Sequence, residues 1–406
     1  MLSKIKQNII QIWRKLPWPI LILFGLWGAY KWVFSVTFPL PRHQEWDTLP
    51  MFSKQGASFP ETAAGWPVLP ELITHLFYLF GGWHIRAYLV LNYMIYLADI
   101  FLLYRLIVKA AGPYRYLPLF FLPFFSDLNA LNLMYTAALP IHLTILFGLL
   151  AADFGFQRLL TYHNSMRFIL FLSLSVFSMN SVFALSIFVG WAVMGLMHKN
   201  WKGVLGAFLV FMVVLNLFIF MFSGSSFSDF GQSLKKAVIS SSAVLTGFDV
   251  ETQLHFVLIL PILGTLGYVM YKNKLWRDRD SLTLYTVIVA CFLSAVSLLS
   301  APVQIPFSFI NAAVGFVMFL VPVVLTLLRI VRPVFIYATC LALLGYSADF
   351  SDQPYQLENS IRLTMRQCAE EYFAGQQQPK ACRILEDPHL PTVLDQARQL
   401  RLNFTR

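Results

Sequence analysis

The stretch Arg42-His43-Gln44-Glu45-Trp46-Asp47 sets two carboxylates one residue apart beside an indole. A carboxylate partly desolvated against an aromatic ring holds its proton more tightly, which suits it to general-base work near neutral pH. Trp46 also offers an apolar face to a sugar ring. The same residues also read as a hydrated loop tethered to a membrane surface by an indole anchor. A second polar stretch, Phe125 to Tyr135, contains Asp127, Asn129 and Asn132. Asp127 either lines the cavity of the first stretch or caps a neighbouring helix. The pair Lys235-Lys236 supplies two point charges, suited to a diphosphate or simply to solvent.

Other chemistries find no residues to support them. No Walker loop, dinucleotide fingerprint or metal-spaced His/Cys cluster is present. No G-x-S-x-G elbow occurs, and the eight histidines form no H-x-x-x-H pair. No cofactor is implied by these motifs, although a divalent metal stays open.

These candidate residues sit in a chain whose composition dictates what must hold them. Of 406 residues, 58% are hydrophobic and 12% charged, and the mean hydropathy is +0.64. Soluble domains carry about 25% charged residues. Disorder, a collagen-like repeat and a disulfide-dense scaffold are excluded by the same numbers. A net charge of +10 on such a chain marks a membrane face rather than a nucleic-acid partner.

A membrane helix needs roughly 20 mainly apolar residues. The first such run, Pro17 to Leu40, follows Lys4, Lys6, Arg14 and Lys15, exceeds the length of a signal-peptide core and has no small-x-small cleavage site. Further runs cover about 86–108, 116–134, 138–157, 203–223, 254–271, 281–300, 308–328 and 333–348. The stretch 168–197 has basic residues at both ends and a polar break at Ser178-Met179-Asn180-Ser181, so it reads as two short or tilted helices meeting near the outer face. The expectation is an all-α polytopic bundle of about eleven transmembrane helices. With a cytoplasmic N-terminus, Lys109, Arg115, Arg158, Arg167, Lys199, Lys202, the 272–279 cluster, Arg329 and Arg332 all fall inside, as the positive-inside rule requires.

The bundle, 1–348, then carries outward loops at 41–83 and 224–253. Within the first, Val68 to Trp83 is amphipathic and too short to span, which predicts an interfacial helix. The tail, 349–406, falls in the periplasm. Cys368 and Cys382 lie there together, an even pair in an oxidising compartment, and read as a disulfide closing a helical hairpin. Two free thiols are the alternative. Lys31, Asp99 and His142 lie within or close to spans, where ionisable residues are functional candidates by default. Lys31 also reads as a side chain snorkelling to the outer headgroups.

The order of these features resembles the GT-C class of bacterial membrane glycosyltransferases. The likeness rests on Val68-Leu69-Pro70-Glu71-Leu72-Ile73 followed by Leu79-Phe80-Gly81-Gly82-Trp83. It rests also on the turn from Phe124 through Asn129, Asn132 and Tyr135, on the Ser178-Met179-Asn180 break, and on the tail from Cys382 to Phe404. The chain departs from the class at Gly65-Trp66, where a His-Arg pair is common. It departs again at Ala301 to Ser308, which is uncharged where Arg residues often stand. The resemblance implies sugar transfer from a polyprenyl-phosphate donor to a cell-envelope glycan or lipid, with Asp47 or Glu45 as the base. Arg42 and Lys235-Lys236 would then offset the donor phosphate, and His43 and Asp127 would line the acceptor side. Two alternatives stand beside this reading. One is a non-catalytic subunit of an envelope-synthesis complex with protein partners, and the other is a lipid or solute transporter.

Overall fold

The computed structural model describes residues 17–35, 68–81, 85–111, 117–125, 133, 139–156, 162–178, 181–197, 206, 208–213, 271–272, 278–284, 286–287, 289–290, 359–375, 382, 394–395 and 398. Among the described residues the fold is all-α, with no strand. The candidate residues Arg42, His43, Glu45, Trp46, Asp47, Asp127, Lys235 and Lys236 lie outside this set.

Helix α1 (Pro17–Ala29) begins on a proline, which suits a first turn whose N–H groups have no intrahelical partner. It continues into a π-turn, Tyr30–Phe34, closed by Ser35 N–H to the Tyr30 carbonyl at 2.9 Å. The wider turn brings Trp32 and Val33 into the core. Helix α2 (Val68–Gly81) and helix α3 (Ile85–Ala111) follow. A 3-10 segment, Leu117–Phe125, contains Pro118 and Pro123, neither of which has an N–H to donate. Helix α4 (Leu139–Gly155) carries Pro140 in its first turn. Helices α5 (Tyr162–Ser178) and α6 (Ser181–Met197) flank the expected polar break, and α5 starts ahead of the run read from hydropathy.

Helix directions follow from which residues meet. Trp18 packs on Tyr104 with ring centroids 5.0 Å apart, and Tyr93 Oη donates to the Gly25 carbonyl, so α1 is antiparallel to α3. The 3-10 segment is also antiparallel to α3, through Tyr104–Phe121 (5.8 Å) and the Tyr96 Oη donation to the Phe124 carbonyl (2.5 Å). Asp99 faces His142, and Arg105 and Lys109 face Asp153, so α3 and α4 run parallel. Ser175 Oγ donates to the Thr144 carbonyl (2.9 Å) while Phe168 abuts Gly155, which makes α5 antiparallel to α4. Trp191 Nε1 donates to the Gly155 carbonyl (3.0 Å) and Phe183 lies on Gly148, which returns α6 to the α4 direction.

The longest helix, α3, contains the one described stretch both long and apolar enough to cross a membrane, Arg86–Ala110. Four shorter apolar helices cover Trp18–Phe34, Leu139–Gly155, Asn164–Ser178 and Phe183–Leu196. In the tail, a helix over 359–373 ends at Gly375, whose φ of 88° is the left-handed conformation that stops a helix cheaply only at glycine. Cys368 and Cys382 are joined, with Cα atoms 4.7 Å apart. Tyr372 donates to the Asp395 carboxylate and so ties the helix to the returning chain. Burial first, then that hydrogen bond and the Asp395 charge, push its phenol up.

Two measurements follow from this packing. A Cβ on Gly148 would lie 1.9 Å from the Phe183 ring, which is itself fully buried, whereas one on Gly206 meets nothing within 4 Å. Gly148→Ala should therefore lower the thermal unfolding midpoint in detergent, at an overpacking cost of about 1–3 kcal/mol, and Gly206→Ala should not. For the tail, Cys368→Ser removes a cross-link worth about 3 kcal/mol in the chain-entropy estimate. Limited proteolysis should then cut within 359–398 faster than in the parent.

Candidate functional site

The buried face of α3 is a stripe at helical spacing: Tyr88 and Leu89, Asn92 and Tyr93, Tyr96, Asp99 and Ile100, Leu103, then Leu106 and Ile107. Three polar residues, Asn92, Tyr96 and Asp99, stand at i, i+4 and i+7 on it. A helix that points a carboxylate into its own core stripe needs a partner on the neighbouring element, since an uncompensated buried charge costs several kcal/mol.

That neighbour is the first turn of α4. Leu139 through Thr144 are all buried there. Thr144 Oγ1 donates back to the Pro140 carbonyl at 2.8 Å, and Ser175 from α5 donates to the Thr144 carbonyl. This bracing fixes the turn that carries His142. Its Nδ1 lies 3.7 Å from Asp99 Oδ2, with both side chains 3–4% exposed. Neither Asp99 oxygen accepts a hydrogen bond among the described residues. The Tyr96 ring meets the imidazole edge to face at 5.5 Å, and its hydroxyl is held by the Phe124 carbonyl. Four elements thus converge on one layer: α3, α4, α5 and the 3-10 segment.

A second polar layer closes the far end of α3 and α4. Asp153 is buried, with Arg105 at 3.2 Å and Lys109 also paired to it; both cations reach solvent. Arg167 of α5 lies over the Phe154 ring, 5.4 Å from its centroid. Asp280 joins this end. Burial and then the Asp278 charge push its carboxyl up, with Lys109 opposing and Asp153 reinforcing. Ten residues separate Asp99 from Lys109, so the two layers are about 15 Å apart along α3.

Of the candidates named from residue type, Asp99 and His142 are brought together, and Lys31 sits in the π-turn after α1. The sequence marked each of the first two singly, Asp99 in an Asn-Tyr-Asp series on one helical face and His142 two residues after Pro140, but did not pair them. No group of three or more His, Cys, Asp or Glu side chains converges among the described residues. The Asp99–His142 layer sets one acid beside one base, 3.7 Å apart and buried, an arrangement that can hold a proton.

The layer's integrity is checked through Tyr96. Tyr96→Phe removes the hydroxyl's hydrogen bond to the Phe124 carbonyl, a net loss of about 0.5–1.5 kcal/mol, and should lower the unfolding midpoint while retaining helix content by circular dichroism. The chain matches no protein-family model, no curated protein and no solved structure.

Proposed function

We propose that the chain is a multi-pass protein of the bacterial inner membrane, built from about eleven helices, with a cytoplasmic N-terminus and a periplasmic tail. In this reading it is a GT-C-type glycosyltransferase that moves a sugar from a polyprenyl-phosphate donor to a cell-envelope glycan or lipid at the outer face. The observation that carries the reading is α2. It follows the acidic first loop directly, packs against α4 and α5, and touches the start of α3 through Phe77 on Tyr88 (5.7 Å). Yet it leaves Leu72, Leu76, Leu79 and Phe80 exposed, Phe80 at 89%, on one face at i, i+4, i+7 and i+8. An apolar stripe uncovered beside the end of a helical bundle suits a helix lying in the headgroup layer. A surface helix next to an acidic loop is the arrangement that the GT-C resemblance leads one to expect.

The alternation of directions supports the crossing pattern. Helix α3, the 3-10 segment, α4, α5 and α6 run alternately down and up, as successive crossings would. Arg105, Lys109 and Arg167 gather at one end, which supports a cytoplasmic assignment for it. Helices α5 and α6, of 17 residues each, are about 25 Å long and fit a core of about 30 Å with a short polar turn at the outer boundary.

In the transfer step, a bond forms between the acceptor oxygen and the anomeric carbon as the sugar–phosphate C–O bond breaks. The acceptor proton passes to Asp47 or Glu45, and the leaving electron pair goes to the phosphate, whose charge Arg42, Lys235 and Lys236 offset. His43, Trp46 and Asp127 line the acceptor side. A transporter is the second reading, favoured by the buried Asp99–His142 contact, because ionisable groups inside a membrane bundle often mark a pathway.

Envelope glycan composition in cells carrying single variants separates these. General-base catalysis contributes about 10²–10⁴-fold, so Asp47→Asn or Glu45→Gln should cut transfer by at least that lower factor. If neither changes the glycan while Asp99→Asn does, the transporter reading takes over. A non-catalytic partner subunit would instead tolerate the loop variants and fail on deletion of 349–406.

A further inference from the structure

We propose that Asp99 and His142 form a proton-binding site sealed inside the helical bundle, in which the Asp99 carboxylic acid donates its proton to His142 Nδ1. The site is independent of sugar transfer and involves none of the loop residues assigned to it.

The argument begins with what the carboxyl lacks. Both Asp99 oxygens are buried and accept no hydrogen bond among the described residues, so no described donor replaces the hydration of the ionised form. His142 Nδ1 faces Asp99 Oδ2 at 3.7 Å. A charge-assisted or strong O–H···N contact needs about 2.7–2.9 Å, so a shift of less than about 1 Å between α3 and α4 makes the bond. One proton leaves the two groups neutral together. Removing it leaves a buried carboxylate whose oxygens accept no hydrogen bond among the described residues, in a place where an uncompensated ion costs several kcal/mol.

Among the described residues, the charged groups on the elements packed around Asp99 belong to other layers. On α3, Tyr96 and Tyr93 are the adjacent titratable groups, and their hydroxyls are committed to the Phe124 and Gly25 carbonyls. The 3-10 segment Leu117–Phe125 and α6 contain no ionisable side chain. From α5 the groups nearest the layer are the hydroxyls of Ser175 and Ser173. Helix α2, packed on α4 and α5, brings His75. Lys31 follows α1 on the π-turn, and Arg105, Lys109 and Asp153 belong to the layer about 15 Å away.

A proton is also the ligand that the donor count allows. Calcium takes six to eight oxygens and structural zinc four ligands, against one carboxylate and one imidazole here. Two described groups within reach of a single hydrogen bond suit a proton.

Infrared spectroscopy of the full chain in lipid vesicles, in D2O at mildly alkaline pH, tests this directly. Surface carboxylates are then ionised, so a protonated-acid carbonyl band is diagnostic. Wild type should retain that band, Asp99→Asn should lose it, and Asp99→Glu should shift it. His142→Gln should move it to higher frequency as the hydrogen bond from the acid is lost. The amide I band reports whether each variant keeps its helices, and Asp99→Glu serves if Asp99→Asn does not. No protonated-acid band in wild type overturns the site, and a band unmoved in a folded His142→Gln overturns the pairing. Neither result touches the glycan measurement on Asp47 and Glu45.

Discussion

Two parallel helices cannot be chain neighbours without a segment that travels back between them, and α3 and α4 are held parallel at two polar layers. Asp153 against Arg105 and Lys109 ties one end, and Asp99 faces His142 about 15 Å away. With those two rungs in place, the intervening chain has to return along α3, which the 3-10 segment does through Tyr104–Phe121 and Tyr96–Phe124. Helix α5 then has only the free flank of α4 to pair with, and α6 follows α5. The two rungs differ in kind. Asp153 shares its charge with two cations that reach solvent, whereas Asp99 and His142 are sealed.

Between those rungs the packing is made by small residues set against rings. Gly148 receives Phe183 and Gly155 receives Phe168, while Gly190 receives Thr286 from the 279–290 segment. Close approach of this kind is how helices associate when the surrounding medium is as apolar as their side chains, since burial from water then contributes little. The aromatic contacts Phe168–Trp191 and Phe188–Phe211 fill what the glycines open. The surface away from these contacts is apolar as well: Ile22, Leu23, Leu26 and Trp27 of α1 and Leu185, Val189, Val193 and Leu196 of α6 are exposed. Such exposed apolar faces accord with the membrane setting proposed above.

The parts of this structure that local chemistry dictates were legible in the sequence. The polar break at 178–181 separates α5 from α6, Gly375 ends the tail helix, and Cys368 lies within bonding reach of Cys382, 14 positions on, because each depends on residues close in the chain. The amphipathic stretch from Val68 forms a helix over nearly the expected length. Other features depend on distant partners and left weaker traces. The hydropathic run 116–134 opens as a 3-10 segment, because Pro118 and Pro123 withhold two backbone donors. The π-turn at Tyr30–Phe34 has no compositional signature. Asp99 and His142 stood out individually as ionisable residues in apolar runs, but their pairing depends on the parallel register of α3 and α4, which hydropathy does not encode. Asp47, Glu45, Arg42, His43, Trp46, Asp127 and the two lysines remain residue-type arguments, as they lie outside the described structure.

The placement of charge also separates what the two ends of the bundle are for. At the Asp153 end, acids and bases are present together, and the half-exposed Arg105 and Lys109 can trade Asp153 for water with little loss, as surface pairs do. Such an end orients a chain and anchors it. A sealed acid beside a base behaves differently, because no solvent substitute is at hand and any change in its occupancy must be met by movement of α3 against α4 or by entry of water. A bundle gains nothing in stability from that arrangement compared with a well-packed apolar pair of the same volume, which is often neutral or better. Asp99 at the middle of the longest described helix and His142 in the first turn of α4 thus suit the proposed proton site better than a role in holding the fold. The Tyr96, Thr144 and Ser175 hydrogen bonds that brace its surroundings are what keep that role compatible with a stable bundle.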